Sequence, residues 1–304
     1  MISGKGRDTM KLFFQKNWSS FVLFLVTILG VFLVLIMAVP KAKPILGTGA
    51  AQTATSETKE VIRYTAIGDS LTEGIGDLTN SGGFVPLVAS DLQEQYRLNG
   101  VQTDNFGKNG DRSDQILKRI KKNEDIQKGL TAADVITLTV GGNDLMKVIK
   151  GDVFRLTKDS FKKPLKHYQK EVEKLLTEIR KYNEKAPIYV LGIYNPFYLY
   201  FPDITEMQEI VDDWNEGTQT IVTAEKNAYF IPINDLLYKG VGDEVGIVSS
   251  EETATSSGEH DIKNNALYEE DHFHPNNLGY QIMASTVRDK MVKTQDKWLE
   301  KGSE

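Results

Sequence analysis

Short apolar, β-branched runs alternate along this chain with stretches whose apolar positions recur every three or four residues. The first run, Val61–Ile67, reads as a buried strand. In Phe84–Tyr96, residues Val85, Val88, Leu92 and Tyr96 share one helical face. Val101–Phe106 is a second short strand, and Ser113–Lys121 a helix that Ser113 can cap. Asp134–Val140 is β-branched and mostly apolar, as a central parallel strand requires. The long helix Phe161–Tyr182 carries the stripe Leu165, Tyr168, Val172, Leu175, Leu176 and Ile179. Ile188–Ile193 is the fourth strand. Helix Ile204–Lys226 follows, with Ile210, Val211, Trp214 and Ile221 inward. Tyr229–Ile233 is the fifth strand. Its Pro232 lacks the N–H that a central ladder needs, so this strand belongs at an edge. Asn277–Val292 closes the pattern as a helix with Ile282, Met283 and Val287 buried. Such alternation predicts a parallel sheet covered by helices on both faces. Residues 240–265 stay polar and aperiodic, a long loop of the kind that forms lids or lacks order.

The first forty residues follow another rule. Phe21–Val39 holds no charge, and as a helix it would span roughly 28 Å, close to the hydrocarbon core of a bilayer. Lys5, Arg7, Lys11 and Lys16 precede it with one acid, Asp8, which favours a cytoplasmic N-terminus. A cleaved signal peptide would have a shorter core and a small-residue exit. Here Pro40-Lys41-Ala42-Lys43 follows a long one. The organisation expected is a short cytoplasmic tail (1–17), a transmembrane signal anchor (18–40) and a flexible tether (41–60). A folded domain (61–295) and a polar C-terminal tail (296–304) follow. Secretion after cleavage is the alternative. As a coil the tether would average roughly 25 Å end to end.

Charge narrows the partners. The chain has 36 basic and 42 acidic residues; the first forty hold four and one, leaving 32 against 41, a net charge of −9. That surface does not suit nucleic acid, whose binding rests on neutralised phosphates. There is no cysteine, which excludes disulfides, thiolate zinc sites and a cysteine nucleophile.

Two short runs carry the candidate chemistry. Gly68-Asp69-Ser70-Leu71 puts a serine directly after the first strand. Asp271-His272-Phe273-His274-Pro275 puts an Asp three residues before a His. A serine hydroxyl is a poor nucleophile until a base takes its proton, and the base needs an orienting group. Of the four histidines, His167 sits on a polar helix and His260 in the polar loop. His274 is preferred over His272 because one loop turn can set Asp271 against its ring. His272 and His274, with Asp271 and Glu270 beside them, could bind a metal, but nothing elsewhere in the chain supplies a further clear ligand, so no metal is expected. Attack on a carbonyl also needs donors for the developing oxyanion. The Ser70 N–H, the Gly110 N–H and the Asn143 side-chain amide follow three successive strands, and in open α/β sheets ligands bind beyond those strand ends.

These runs resemble the markers of the SGNH, or GDSL, hydrolases of lipase/acylhydrolase type. Those markers are a Ser in GDS(L), a Gly, an Asn in GxND and a His in DxxH. Here they match Ser70 in GDSLTEG, Gly110 in KNGDRS, Asn143 in GGND and His274 in DHFHP, in family order over about residues 60–292. After Gly110 the sequence departs slightly, with Asp111-Arg112-Ser113. The membrane-anchored YpmR-like branch is the most similar. The resemblance implies a three-layer α/β/α sandwich with a five-stranded parallel sheet, flavodoxin-like, preceded by one transmembrane helix. It further implies ester or thioester hydrolysis through an acyl-enzyme, with no cofactor. Ser70 is not in the G-x-S-x-G elbow of α/β-hydrolases.

The leading expectation is thus a membrane-tethered, extracytoplasmic serine esterase acting on lipid, small acyl or O-acetyl esters. Acyl transfer at the same site and a noncatalytic domain binding wall polymer or a partner are the alternatives. The aromatic cluster Phe197, Tyr198, Tyr200 and Phe201 lies either in an acyl-pocket wall, chiefly through Phe197 and Tyr198, or in packing beneath a loop.

Overall fold

A computed structural model describes residues 58–151, 157–196, 205–238, 247–249 and 262–300, together with Val22 and residues 26–29. The chain divides into two units, Met1–Thr55 and Ser56–Glu304. In the first, Val22 and residues 26–29 are helical; the rest of the anchor expected over 18–40 lies outside the described residues. Among the described residues no helix is long and apolar enough to cross a membrane.

The second unit is built on five parallel strands: β1 (Val61–Gly68), β2 (Gly100–Gly107), β3 (Val135–Thr139), β4 (Ile188–Leu191) and β5 (Ala228–Ile231), in the order β2-β1-β3-β4-β5. That is the flavodoxin-like order, whose ligand crevice opens where β1 and β3 send their chains to opposite sides. The two-residue period of a strand sorts the core into layers. In β4, Ile188 and Val190 join one apolar cluster and Tyr189 and Leu191 the other. On the Tyr189 side the sheet is covered by α2 (Phe84–Tyr96) and α9 (Asn277–Lys293). The other side is covered by α3 (Ser113–Lys122), α4 (Glu124–Ala132), α6 (Lys158–Tyr182) and α7 (Thr205–Ala224). β3 and β4 are buried throughout, as their β-branched and mostly apolar sequences predicted, and β5 takes the expected edge. Its ladder stops at Ile231, so Pro232 lies just beyond it and costs no hydrogen bond.

Several details differ from the sequence pattern. Helix α4, the one-turn α1 (Ser70–Glu73) and α8 (Asn234–Tyr238) have too few turns, or too few apolar positions, to stand out by periodicity, whereas α5 (Gly142–Gly151) carries Leu145, Met146, Val148 and Ile149 at helical spacing and was passed over. Ser113 does not cap α3; it is the first helical residue and its hydroxyl donates to Asp144 at 2.6 Å. Within the 240–265 segment, β6 (Ile247–Ser249) and β7 (Ile262–Asn264) pair antiparallel, and the residues between them lie outside the described set. Residues 296–300 are not a free polar tail. Trp298 is 1 % exposed, and Thr58 pairs with Glu300 in a bridge that brings the two ends of the unit together.

Candidate active site

Strand β1 ends in Gly68, whose Cα fits only because it has no side chain: a Cβ there would overlap the Thr139 hydroxyl. Asp69 then caps α1. Its Oδ1 accepts from the Leu71 N–H at 3.1 Å and from Thr139 Oγ1 at 2.7 Å, while its own N–H donates to Thr139 Oγ1 at 3.1 Å. Burial pushes the Asp69 carboxyl above the usual carboxylate range; Thr139, the Leu71 N–H and the charge of His274 partly offset this. The cap fixes Ser70 as the first residue of α1, 5 % exposed. Ser70 opens into a cavity of about 40 Å³ that it shares with Asn143, Ile193, Tyr194, Pro196 and Phe273. The wall is mostly apolar, and the cavity lies at the β1/β3 switch point.

Asn143, on the first turn of α5, donates one amide hydrogen to the Asp111 carbonyl at 3.0 Å. An amide carries two hydrogens, so the second is left for a ligand. Gly110 takes φ +80 and is exposed. It does not line the cavity; the Asp111–Asn143 bond ties its loop to the cavity rim. Among the described residues nothing accepts from the N–H groups of Ser70 or Gly110. The loop is held from below by Arg119, whose Nε donates to Asp111 Oδ2 at 2.5 Å. Its other nitrogens donate to the carbonyls of Phe106 at 2.9 Å and Gly68 at 2.8 Å. One guanidinium thereby joins the ends of β1 and β2 to the glycine loop.

The histidine motif forms a tight turn. Asp271 Oδ2 lies 2.6 Å from His274 Nδ1, and Asp271 Oδ1 accepts from the N–H groups of Phe273 at 2.9 Å and His274 at 3.0 Å. Desolvation raises the Asp271 carboxyl, but the bonds from His274 and the two N–H groups outweigh it and leave it below the usual range. His272 is exposed at φ +48, and shapes the turn. The His274 side chain is 12 % exposed. Gly76, at φ +91 in the segment following α1, packs against it: a Cβ there would collide with the Pro275 carbonyl and sit 3.3 Å from the His274 Cβ. From the segment that follows β4, the Tyr194 hydroxyl donates to the Phe273 carbonyl. Burial holds that phenol well above its usual pKa, so it stays a donor.

The fold therefore brings Ser70, Asn143 and the Asp271–His274 pair to one end of the sheet, from segments about two hundred residues apart. Among the described residues no hydrogen bond joins Ser70 Oγ to His274. In a free enzyme such contacts are commonly long and tighten only with substrate. His167 is exposed on α6. Phe197, Tyr198, Tyr200, Phe201 and His260 lie outside the described residues. Sequence reasoning missed Arg119, Thr139 and Tyr194, whose partners are the carbonyls of Phe106, Gly68 and Phe273, the carboxylates of Asp111 and Asp69, the Asp69 N–H and the Thr72 hydroxyl.

Residues 66–282 match the GDSL-like lipase/acylhydrolase family. The chain belongs to this family. This GDSL hydrolase is 34 % identical over 238 residues to the uncharacterized protein YpmR of Bacillus subtilis (strain 168), covering 78 % of this chain and 84 % of YpmR. It is 30 % identical over 233 residues to the spore germination lipase LipC of Bacillus licheniformis, covering 75 % and 95 % of the two chains. Among solved structures, the lipase Lip_vut3 from a goat rumen metagenome is similar with a TM-score of 0.60 at 25 % identity, covering 75 % of this chain and 96 % of that one. Membership makes the protein an ester-hydrolysing enzyme and agrees with the five-stranded sheet.

Proposed function

We propose that this GDSL hydrolase is a membrane-tethered, extracytoplasmic serine esterase that cleaves carboxylic esters through an acyl-enzyme on Ser70. The observation that carries the reading is the Asp271–His274 pair, closed at 2.6 Å and packed on the turn that follows Ser70. In this mechanism His274 takes the Ser70 proton as the hydroxyl attacks the ester carbon. Asp271 fixes the ring with Nδ1 protonated and Nε2 free to accept. The oxyanion is met by the N–H groups of Ser70 and Gly110 and by the free amide hydrogen of Asn143. The imidazolium then protonates the leaving alcohol, and water repeats the sequence to release the acid. The apolar cavity wall suits an acyl group, and the names of the lipases LipC and Lip_vut3 support an acyl ester as substrate.

The uncharged run Phe21–Val39 with its basic flank supports the tether and the outward placement. A fluorophosphonate should label wild-type protein at Ser70 alone. Ser70→Ala should lose both label and turnover while melting as wild type does. Wild-type-like turnover in folded Ser70→Ala would end the esterase reading. Protease added to intact cells should digest the catalytic domain; a domain protected until lysis would end the outward placement.

A further inference from the structure

The segment after the serine contains an acid that the proposed mechanism does not use. Asp77 is 8 % exposed, and its carboxylate accepts six hydrogen bonds. Oδ1 takes the Thr79 N–H at 2.9 Å, the Thr79 hydroxyl at 2.6 Å and Asn277 Nδ2 at 3.0 Å. Oδ2 takes the N–H groups of Ser81, Gly82 and Gly83 at 3.0, 3.1 and 3.1 Å. Five of these close the loop on itself. The sixth crosses two hundred residues of sequence to the first residue of α9, three positions after His274. Asn277 returns the contact, its Oδ1 accepting from the Leu78 N–H at 3.1 Å. One turn along α9, the Tyr280 hydroxyl donates to the Ile75 carbonyl at 2.6 Å.

The other side of the loop is anchored to the serine. The N–H groups of Gly74 and Ile75 both donate to the Ser70 carbonyl, and that of Asp77 to the Gly74 carbonyl. A continuous path of short bonds thus runs from Ser70 through Asp77 and Asn277 to the backbone that carries His274. Asp271 orients the imidazole within its own turn. Gly76 packs on that turn and Tyr194 bonds to it, but the side-chain hydrogen bonds that join the serine segment directly to the chain just after His274 come from Asp77 and Asn277.

We infer that Asp77 is a positioning residue: through Asn277 its carboxylate holds the His274 turn against the Ser70 turn and so sets the spacing between hydroxyl and imidazole. The inference rests on the esterase reading for its catalytic consequence, but not for the spacing itself. Misplacing a reacting group by about 1 Å can cost on the order of 10²-fold in rate.

The test compares full-length wild type with Asp77→Asn, Asn277→Ala and the double variant. A fluorophosphonate gives the labelling rate and final stoichiometry at Ser70, and a p-nitrophenyl ester gives kcat and KM. Ring resonances of isotopically labelled histidine report His274. The expected result is full stoichiometry with labelling and kcat both lowered about 10- to 100-fold and KM within about threefold. The double variant should be no worse than about twice the weaker single, since both remove one link. The His274 resonances should move in both single variants. Wild-type rates at full stoichiometry would overturn the inference. So would reduced stoichiometry at an unchanged rate, which marks lost fold rather than lost spacing. If Asp77→Asn does not fold, Asn277→Ala decides, because it spares the five bonds within the loop. A wild type that takes no label defeats the esterase reading instead. The resonances then decide the spacing alone: unmoved in Asn277→Ala they refute the clip, moved they uphold it.

Discussion

Asn143 shows how one side chain divides its bonds. One amide hydrogen holds the Asp111 carbonyl and steadies the glycine loop; in the proposed mechanism the other meets charge that appears only in the transition state. Asn143→Ala should therefore lower kcat by roughly 10²–10³, about 2.7–4 kcal/mol for one donor, with a smaller change in KM. Steady-state kinetics check this, and a change confined to KM would make Asn143 a binding residue. The proposed mechanism makes a different demand of Asp271: it must stay ionised while its histidine changes charge. The ring and two N–H groups hold its carboxyl below the usual range, so its ionisation outlasts that of a free carboxylate as pH falls. Asp271→Asn should cost up to about 10⁴ in kcat. His274→Ala should be far more damaging than His272→Ala, because His272 is an exposed turn residue. The reverse ranking in a kinetic comparison would mean that the wrong histidine has been chosen.

At the scale of elements, chemistry depends on loops held by buried polar hubs. Asp77 is the clearest, its carboxyl held down at about 2: desolvation opposes ionisation, and the Thr79 hydroxyl and loop N–H groups outweigh it. A folded-state pKa below the unfolded value near 3.8 contributes stability that is complete above about pH 4 and is lost as pH falls through about 2. Wild type should accordingly melt well above Asp77→Asn at pH 6, and the gap should narrow between about pH 4 and 2. A gap that stays constant in calorimetry would exclude the charge as its source. The hubs also mark where the sequence stopped being legible. Strands and the longer helices follow from periodicities of two and 3.6, and Ser70, Asn143 and His274 from short motifs whose residue types chemistry restricts. Arg119 and Asp77 have no such signature. Each is one charged residue in a polar stretch, and its meaning lies in carbonyls and N–H groups that only the fold collects. α4 escaped notice because its nine residues hold too few apolar positions to separate a helix from a loop; α5 did carry a signal, Leu145, Met146, Val148 and Ile149 at helical spacing directly after the GGND run, that the sequence reading passed over.

The whole catalytic unit closes on itself through segments that read as linkers. Residues 58–60 lay in the expected tether and 296–300 in the expected tail, yet the Lys59 N–H donates to the Leu299 carbonyl at 2.8 Å beside the Thr58–Glu300 bridge. Trp298 supplies the apolar part of this closure. It is 1 % exposed, meets Tyr96 edge-on at 5.3 Å and donates its indole N–H to the Met291 carbonyl at 3.0 Å. Sequence alone could not separate this tryptophan from an exposed one, because the five residues around it have no period. Replacing a buried tryptophan by alanine costs about 3–5 kcal/mol, a large share of a stability that is ordinarily about 5–15 kcal/mol. A fragment spanning Ser56–Glu304 should thus melt and hydrolyse esters as the full chain does, since those residues form one compact unit. The same fragment carrying Trp298→Ala should melt several degrees lower, with kcat per labelled serine unchanged, because Trp298 bonds at the C-terminal end of α9, the end opposite Asn277 and His274. Equal melting temperatures would show that the C-terminal segment is an appendage after all. An unstable parent fragment would show that residues before Ser56 belong to the same cooperative unit.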